Sequence, residues 1–212
     1  MQKFEPGEDR WKLGFKEAVL SSFGFLHSRG FRSVAEEITM VRYESQNVYV
    51  NIYHGRGSFE IGAEVGRISG GDCYGLDYIV SWAGKEAWDA EGFGRGTLFQ
   101  VSTKQGVQNT VPKVAKILEK YGGPFLSGDP AFYENLQRVN EESSLAFEKE
   151  QMVTRIRKEA NTAWTAKDFA RVVELFQPIR DNLTEIDRKK LVYAEKHVKT
   201  GVQKKGKTRR RG

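Results

Sequence analysis

The chain has 212 residues, 39% of them hydrophobic and 12% aromatic, which is enough apolar material for a packed core and argues against global disorder. Its formal charge of +6 sits at one end. Lys199, Lys204, Lys205, Lys207, Arg209, Arg210 and Arg211 fall in the last fourteen residues with no acid among them, and without them 27 basic residues stand against 28 acidic ones. The sequence pI near 9.3 therefore describes a tail, which argues against a basic globular surface made for nucleic acid.

No apolar run approaches the ~20 residues that span a bilayer, and the first thirty residues lack the pattern of a signal peptide. No membrane association is expected. Cys73 is the only cysteine, so no intrachain disulfide can form and a reducing, cytoplasmic setting is expected.

Residues 9–29 carry Trp11, Leu13, Phe15, Val19, Leu20, Phe23 and Leu26 at nearly helical spacing, with Gly30 as the stop. Phe31 to Ala35 is a candidate edge strand. Thr39 to Ser45 and Val48 to Tyr53 are rich in β-branched and aromatic residues, and Gln46-Asn47 between them suits a tight hairpin. In the second run Val48, Val50 and Ile52 alternate with Tyr49, Asn51 and Tyr53, so the aliphatic set is expected to face the core. After a turn at His54 to Gly57, Ser58 to Ile68 reads as a third strand with Phe59, Ile61, Ala63 and Val65 on one face. The connections are too short for parallel crossovers, so the strands form an antiparallel meander.

Ser69 to Asp72 is a loop. Leu76 to Ala83 suits a strand or a short helix, with Asp77 and Gly84 favouring the helix. Gly92 to Gly96 is flexible on composition. From about residue 103 the chain reads helical. Thr110 to Tyr121 has Val111, Val114, Ile117 and Leu118 on one face, and Asp129-Pro130 is a strong helix start. That helix runs to about Trp164 with a possible break near Ser143-Ser144. A further helix spans Lys167 to Pro178, and Thr184 opens the last one, with Asp187 as a capping-box acid and an end by about Lys199. The expected fold is α+β: an N-terminal helix and antiparallel meander in residues 1–102, a helical region in 103–198, and a disordered basic tail in 199–212.

The motifs for chemistry are sparse. Gly92, Gly94 and Gly96, like Gly55 and Gly57, lack the strand-before, helix-after context of a phosphate loop and read as turns. His27, His54 and His197 are too scattered for a metal site, and no cofactor is expected. A site assembled in space from His54, Cys73 and Asp72 is the least favoured option. Cys73 has no neighbouring histidine in sequence and reads as a half-buried structural thiol. The acids Asp72, Asp77, Glu60 and Glu64 lack the lysine spacing of a nuclease strand pair and read as solvated charge.

Tyr49 and Tyr53 share the sheet face opposite the aliphatic one. They would either stack bases or pack under the helices, and helix coverage is the preferred reading. Residues 155–197, with Ala160, Ala163, Trp164, Asp168, Phe169, Ala170, Val173 and Phe176, carry the small-and-large pattern of a tetratricopeptide-like helical hairpin. Such a hairpin suits a peptide or partner helix, and Trp164 and Phe169 there, with Tyr49 and Tyr53 of the sheet, are the candidate partner-binding residues. In the tail, Lys204, Lys205, Lys207, Arg209, Arg210 and Arg211 are candidate contacts for nonspecific nucleic acid.

Phe23-Gly24-Phe25-Leu26 and Phe31, followed by Val41 to Ser45, Val48 to Val50, Ser58 to Ile61, Gly66-Arg67, and then Leu118, Tyr121 to Leu126 and Gly128-Asp129, resemble small bacterial α+β proteins. Several of these are similar to immunity proteins of polymorphic toxin systems. The resemblance covers about residues 10–136 and implies a non-enzymatic protein that binds a cognate toxin. The hairpin and tail lie beyond it and leave room for an adaptor role. The expected function is therefore protein binding without catalysis. The alternative is a nucleic-acid- or ribosome-associated protein anchored by its tail.

Overall fold

The computed structural model describes residues 10–55, 57–93 and 99–208, with side chains to residue 200. It is α+β and divides into two bodies, residues 1–136 and 137–212.

The first body opens with a 3-10 turn (Arg10–Leu13), α1 (Phe15–Ser22) and α2 (Phe25–Ser28). Most of the apolar stripe is as expected, since Phe15, Val19, Phe23 and Leu26 are all buried, but Trp11 is 64% exposed. It is not one helix, however. Gly14 takes φ 65°, a left-handed conformation that costs glycine little and stops the first turn before α1.

Five strands follow: β1 (Arg32–Glu36), β2 (Met40–Glu44), β3 (Val48–His54), β4 (Ile61–Arg67) and β5 (Cys73–Gly75). They lie in chain order and every pair is antiparallel. The meander is as read, with β1 at the edge, and β5 is an addition that three residues are too few to announce. The third strand starts at Ile61 rather than Ser58. Phe59 there has φ 55°, outside the extended region, and its ring lies under the Arg10 guanidinium at 4.3 Å.

The short helices α3 (Leu76–Trp82) and α4 (Lys85–Glu91) follow the sheet. Residues 94–98, which hold most of the glycine-rich segment, lie outside the described residues. Next, α5 (Lys104–Tyr121) is capped by the Thr103 side chain, which accepts from the Gly106 N–H at 3.1 Å. Its buried face of Val107, Val111, Val114 and Leu118 joins the sheet's core, so α5 and the short α6 (Gly123–Leu126) belong to the first body rather than to a separate helical region from residue 103.

The 36-residue α7 (Pro130–Thr165) starts where expected, with Asp129 Oδ1 accepting from the Ala131 N–H at 3.0 Å. It runs through Ser143-Ser144 unbroken. The second body combines the rest of α7 with α8 (Phe169–Phe176), a 3-10 turn (Gln177–Asn182) and α9 (Glu185–Thr208). Asp168 caps α8, accepting from Arg171 N–H at 3.1 Å. Thr184 and Asp187 form the expected capping box: Asp187 N–H donates to Thr184 Oγ1 at 3.2 Å and Thr184 N–H to Asp187 Oδ2 at 3.4 Å. The core holds Val153, Ala160, Ala163, Val172, Phe176, Ile179, Leu183, Leu191 and Ala194. α9 continues to Thr208, past the end expected at Lys199 and into the segment expected to be disordered. Lysine, glutamine and valine are tolerated in a helix and no proline intervenes. Among the described residues no helix is long and apolar enough to cross a membrane.

Candidate functional site

The sheet has two unlike faces because strand side chains alternate. On the inner face Val41, Tyr43, Val48, Val50, Ile52, Ala63 and Val65 are buried in one cluster with the apolar sides of α1, α3 and α5. The outer face carries Arg42, Glu44, Tyr49, Asn51, Tyr53, Glu64 and Cys73, none of them buried. The preferred reading of the tyrosines is therefore corrected: the helices cover the aliphatic face, and Tyr49 and Tyr53 stay on the open one. A strand that alternates strictly cannot bury both faces under a single helical layer.

Both rings lie across β4 over glycine. Tyr53 is paired in register with Gly62 and Tyr49 with Gly66. A Cβ on Gly62 would overlap the Tyr53 ring, and one on Gly66 would come within 2.6 Å of the Tyr49 Cζ. Arg42 stacks on Tyr49 at 4.1 Å from its ring centre, and its Nε donates to Glu44 at 2.7 Å. Its Nη1 reaches Asn51 Oδ1 at 3.4 Å, and Asn51 Nδ2 donates to Glu64 Oε1 at 2.8 Å. The result is a hydrogen-bonded row of polar and aromatic groups running across three strands.

Cys73 ends that row near Glu64 and Tyr49, and it is exposed rather than half-buried as expected. Desolvation, and then the Glu64 carboxylate, push the thiol up to about 11, so it stays protonated at neutral pH and is a poor nucleophile. Desolvation, followed by Cys73, raises the Tyr49 phenol to about 12. Burial raises Tyr53 as well, with Glu60 adding to it.

No histidine joins this row. His54 is on the inner face, where its Nε2–H donates to Val101 O at 2.8 Å and burial lowers its pKa. His27 Nδ1 lies 3.0 Å from Phe31 O. Asp72 is ion-paired with Arg67. The trio of His54, Cys73 and Asp72 is thus not assembled, and among the described residues no three of His, Cys, Asp and Glu gather as metal ligands do.

In the second body Trp164 and Phe169 are brought together, their ring centres 5.7 Å apart. Tyr193 and His197 of α9, which sequence reasoning missed, complete the group. Tyr193 lies 5.4 Å from Trp164 and 5.5 Å from Phe169, and His197 lies 4.4 Å from Tyr193. Tyr193 is 47% exposed, and Trp164 and Phe169 are half-buried. The four rings form a ledge at the surface rather than a core. The i, i+4 spacing of Tyr193 and His197 was the available signal, but the helix partner across from them was not readable.

A groove of about 590 Å³ lies in the first body beside α1 and α5, lined by Trp11, Glu17, Lys104 and Gln108 among others. Its charges, from Lys12, Glu17 and Lys104, are of mixed sign. Of the tail candidates, Lys204, Lys205 and Lys207 lie on the helical backbone of α9. Arg209, Arg210 and Arg211 lie outside the described residues.

Comparison with protein-family models, with curated proteins and with solved structures gives no match.

Proposed function

We propose that this chain is a non-enzymatic, protein-binding protein whose contact residues are the aromatic ledge of the second body. The observation that carries the reading is the meeting of Trp164, Phe169, Tyr193 and His197 at the surface of a helical hairpin. Large rings with few rotatable bonds dominate binding energy in protein interfaces, with Trp and Tyr leading. The open row of Arg42, Tyr49, Asn51 and Tyr53 is a second surface of similar composition. The resemblance of residues 10–136 to immunity proteins supports a bacterial toxin as the partner class, and the hairpin supports an adaptor role.

The test is affinity capture from a nuclease-treated lysate of the source organism with three baits: the full chain, Trp164→Ala/Tyr193→Ala, and Tyr49→Ala/Tyr53→Ala. The expected result is one protein retained by the full chain and lost from the first variant. Equal retention by all three baits would remove both surfaces from the reading. Turnover of a substrate by the purified chain, abolished by a single acidic substitution, would overturn it altogether.

A second reading draws on the seven basic charges without an acid in residues 199–212. It is anchoring to nucleic acid or the ribosome through this tail, with counterion release as the driving force. It requires binding that falls steeply with salt and is lost when the chain ends at Val198.

A further inference from the structure

We propose that this chain pairs with a second copy of itself through the bare middle of α7, the two helices lying antiparallel. The inference goes beyond the partner binding proposed above and does not depend on it. Residues 141–152 are exposed without interruption for more than three helical turns. That is unusual, because helices in proteins draw most of their stability from packing one face. Leu145 is 67% exposed and Met152 43%. They are seven residues apart and so lie on one line of the helix, which Arg138 and Glu159 extend by one heptad at each end.

The order of charge selects the occupant. Glu141, Glu142, Glu148 and Glu150, against the one Lys149, make the first part of this stretch acidic, whereas Arg155, Arg157 and Lys158 make the next part basic. Parallel copies would set acid against acid and base against base. Antiparallel copies set each acidic part against the basic part of the other. Centred between residues 148 and 149, the antiparallel pair places Leu145 against Met152 of the second copy and Arg138 against Glu159. It also brings Arg155 beside Glu141, and two-fold symmetry makes each contact occur twice.

The end pairs are shared with contacts inside one copy, since Arg138 bonds Glu142 at 3.1 Å and Glu159 lies 3.8 Å from Arg171. The pair of Glu141 and Arg155 is therefore the one to test. In this register Glu148 lies level with Lys149 of the second copy as well as near its own counterpart, so the centre of the pair adds little to affinity. With two apolar side chains per copy and exposed ion pairs, the dimer has a Kd on the order of micromolar and weakens with added salt.

Sedimentation equilibrium of the full chain in low salt, from about 1 to about 100 µM to bracket that Kd, should show a monomer–dimer equilibrium. Glu141→Arg and Arg155→Glu should each raise Kd about tenfold or more, because each change enters the contact twice. Mixing the two variants should restore pairing, as should combining both changes in one chain. Leu145→Glu should abolish pairing. Phe147→Ser, on the far side of α7, should change nothing. All of these positions are exposed, and unchanged far-UV circular dichroism will show that each variant is folded. A monomer at every concentration would overturn the proposal. So would failure of the mixture to recover, which would point to a different partner for this surface, or a Phe147→Ser effect as large as that of Leu145→Glu.

Discussion

Among the described residues, the sheet and helices of the first body enclose twenty-eight buried core residues, whereas the helices of the second body enclose nine. The two bodies also place their surface aromatics by different rules. In the sheet the two-residue period commits Val48, Val50 and Ile52 to the core, and the same step sends Tyr49 and Tyr53 to the open face. In the helical body no single element displays the ledge: Trp164 comes from α7, Phe169 from α8, and Tyr193 and His197 from α9. A sheet advertises its exposed face in one strand, while a helical ledge needs the tertiary structure to exist at all.

The largest test of the contrast is to make the same deletion in each core. Phe23 and Phe176 are both fully buried. Replacing either with Ala should cost about 3–5 kcal/mol. With only eight other core residues beside it, Phe176→Ala should melt the second body while the first keeps its near-ultraviolet dichroism. Phe23→Ala should lower the midpoint of the first body's urea transition without unfolding it. A single shared transition in both variants would break the division into two bodies.

Next in size is Gly66→Ala. Its methyl group would collide with the Tyr49 ring and with the Asp72 backbone carbonyl. Overpacking of this kind costs about 1–3 kcal/mol. Urea denaturation should show that loss, and Gly66→Ala/Tyr49→Ala should recover only part of it, since the backbone contact remains. No destabilisation in the single variant would mean that the tyrosine does not lie on the glycine strand.

In the helical body the equivalent local device is the capping box. Thr184→Ala removes the acceptor for Asp187 N–H and should cost about 1 kcal/mol, read as a lowered urea midpoint for the second body alone. Thr184→Ser should retain most of the stability.

The smallest effect separates the bodies by pH. His54 sits in the first core with its pKa held below the ordinary 6.5, by burial first and by Arg10 as well. Its neutral form is favoured in the folded state, so below about pH 6.5 the unfolded chain binds the extra proton. Stability of the first body should therefore be complete above that pH and decline as pH falls through it. His54→Gln should flatten this dependence relative to the parent. An unchanged slope would assign the effect to other groups.

Much of the first body is legible in the chain because its signals are local. The period-2 runs around Val48 and Ile61, the hairpin at Gln46-Asn47 and the Asp129-Pro130 start each depend on a handful of adjacent residues. The misses have local causes too. A glycine at position 14 broke an otherwise continuous stripe, and the left-handed Phe59 shortened β4. For the candidate surfaces, the chain displayed Tyr49, Tyr53, Trp164 and Phe169. It did not display Arg42 stacked on Tyr49, Glu64 beside Cys73, or Tyr193 and His197 beside Phe169.

The sequence by itself determined the α+β class, the meander, the alternation of its faces and the concentration of basic charge at one end, because periodicity and composition are properties of neighbouring residues. Only the tertiary structure decided that the tyrosine face of the sheet stays without a helical cover, which aromatic side chains meet, and which stretch of α7 is left bare. Those outcomes depend on residues that are distant in the chain and on how much apolar surface each body has available to bury.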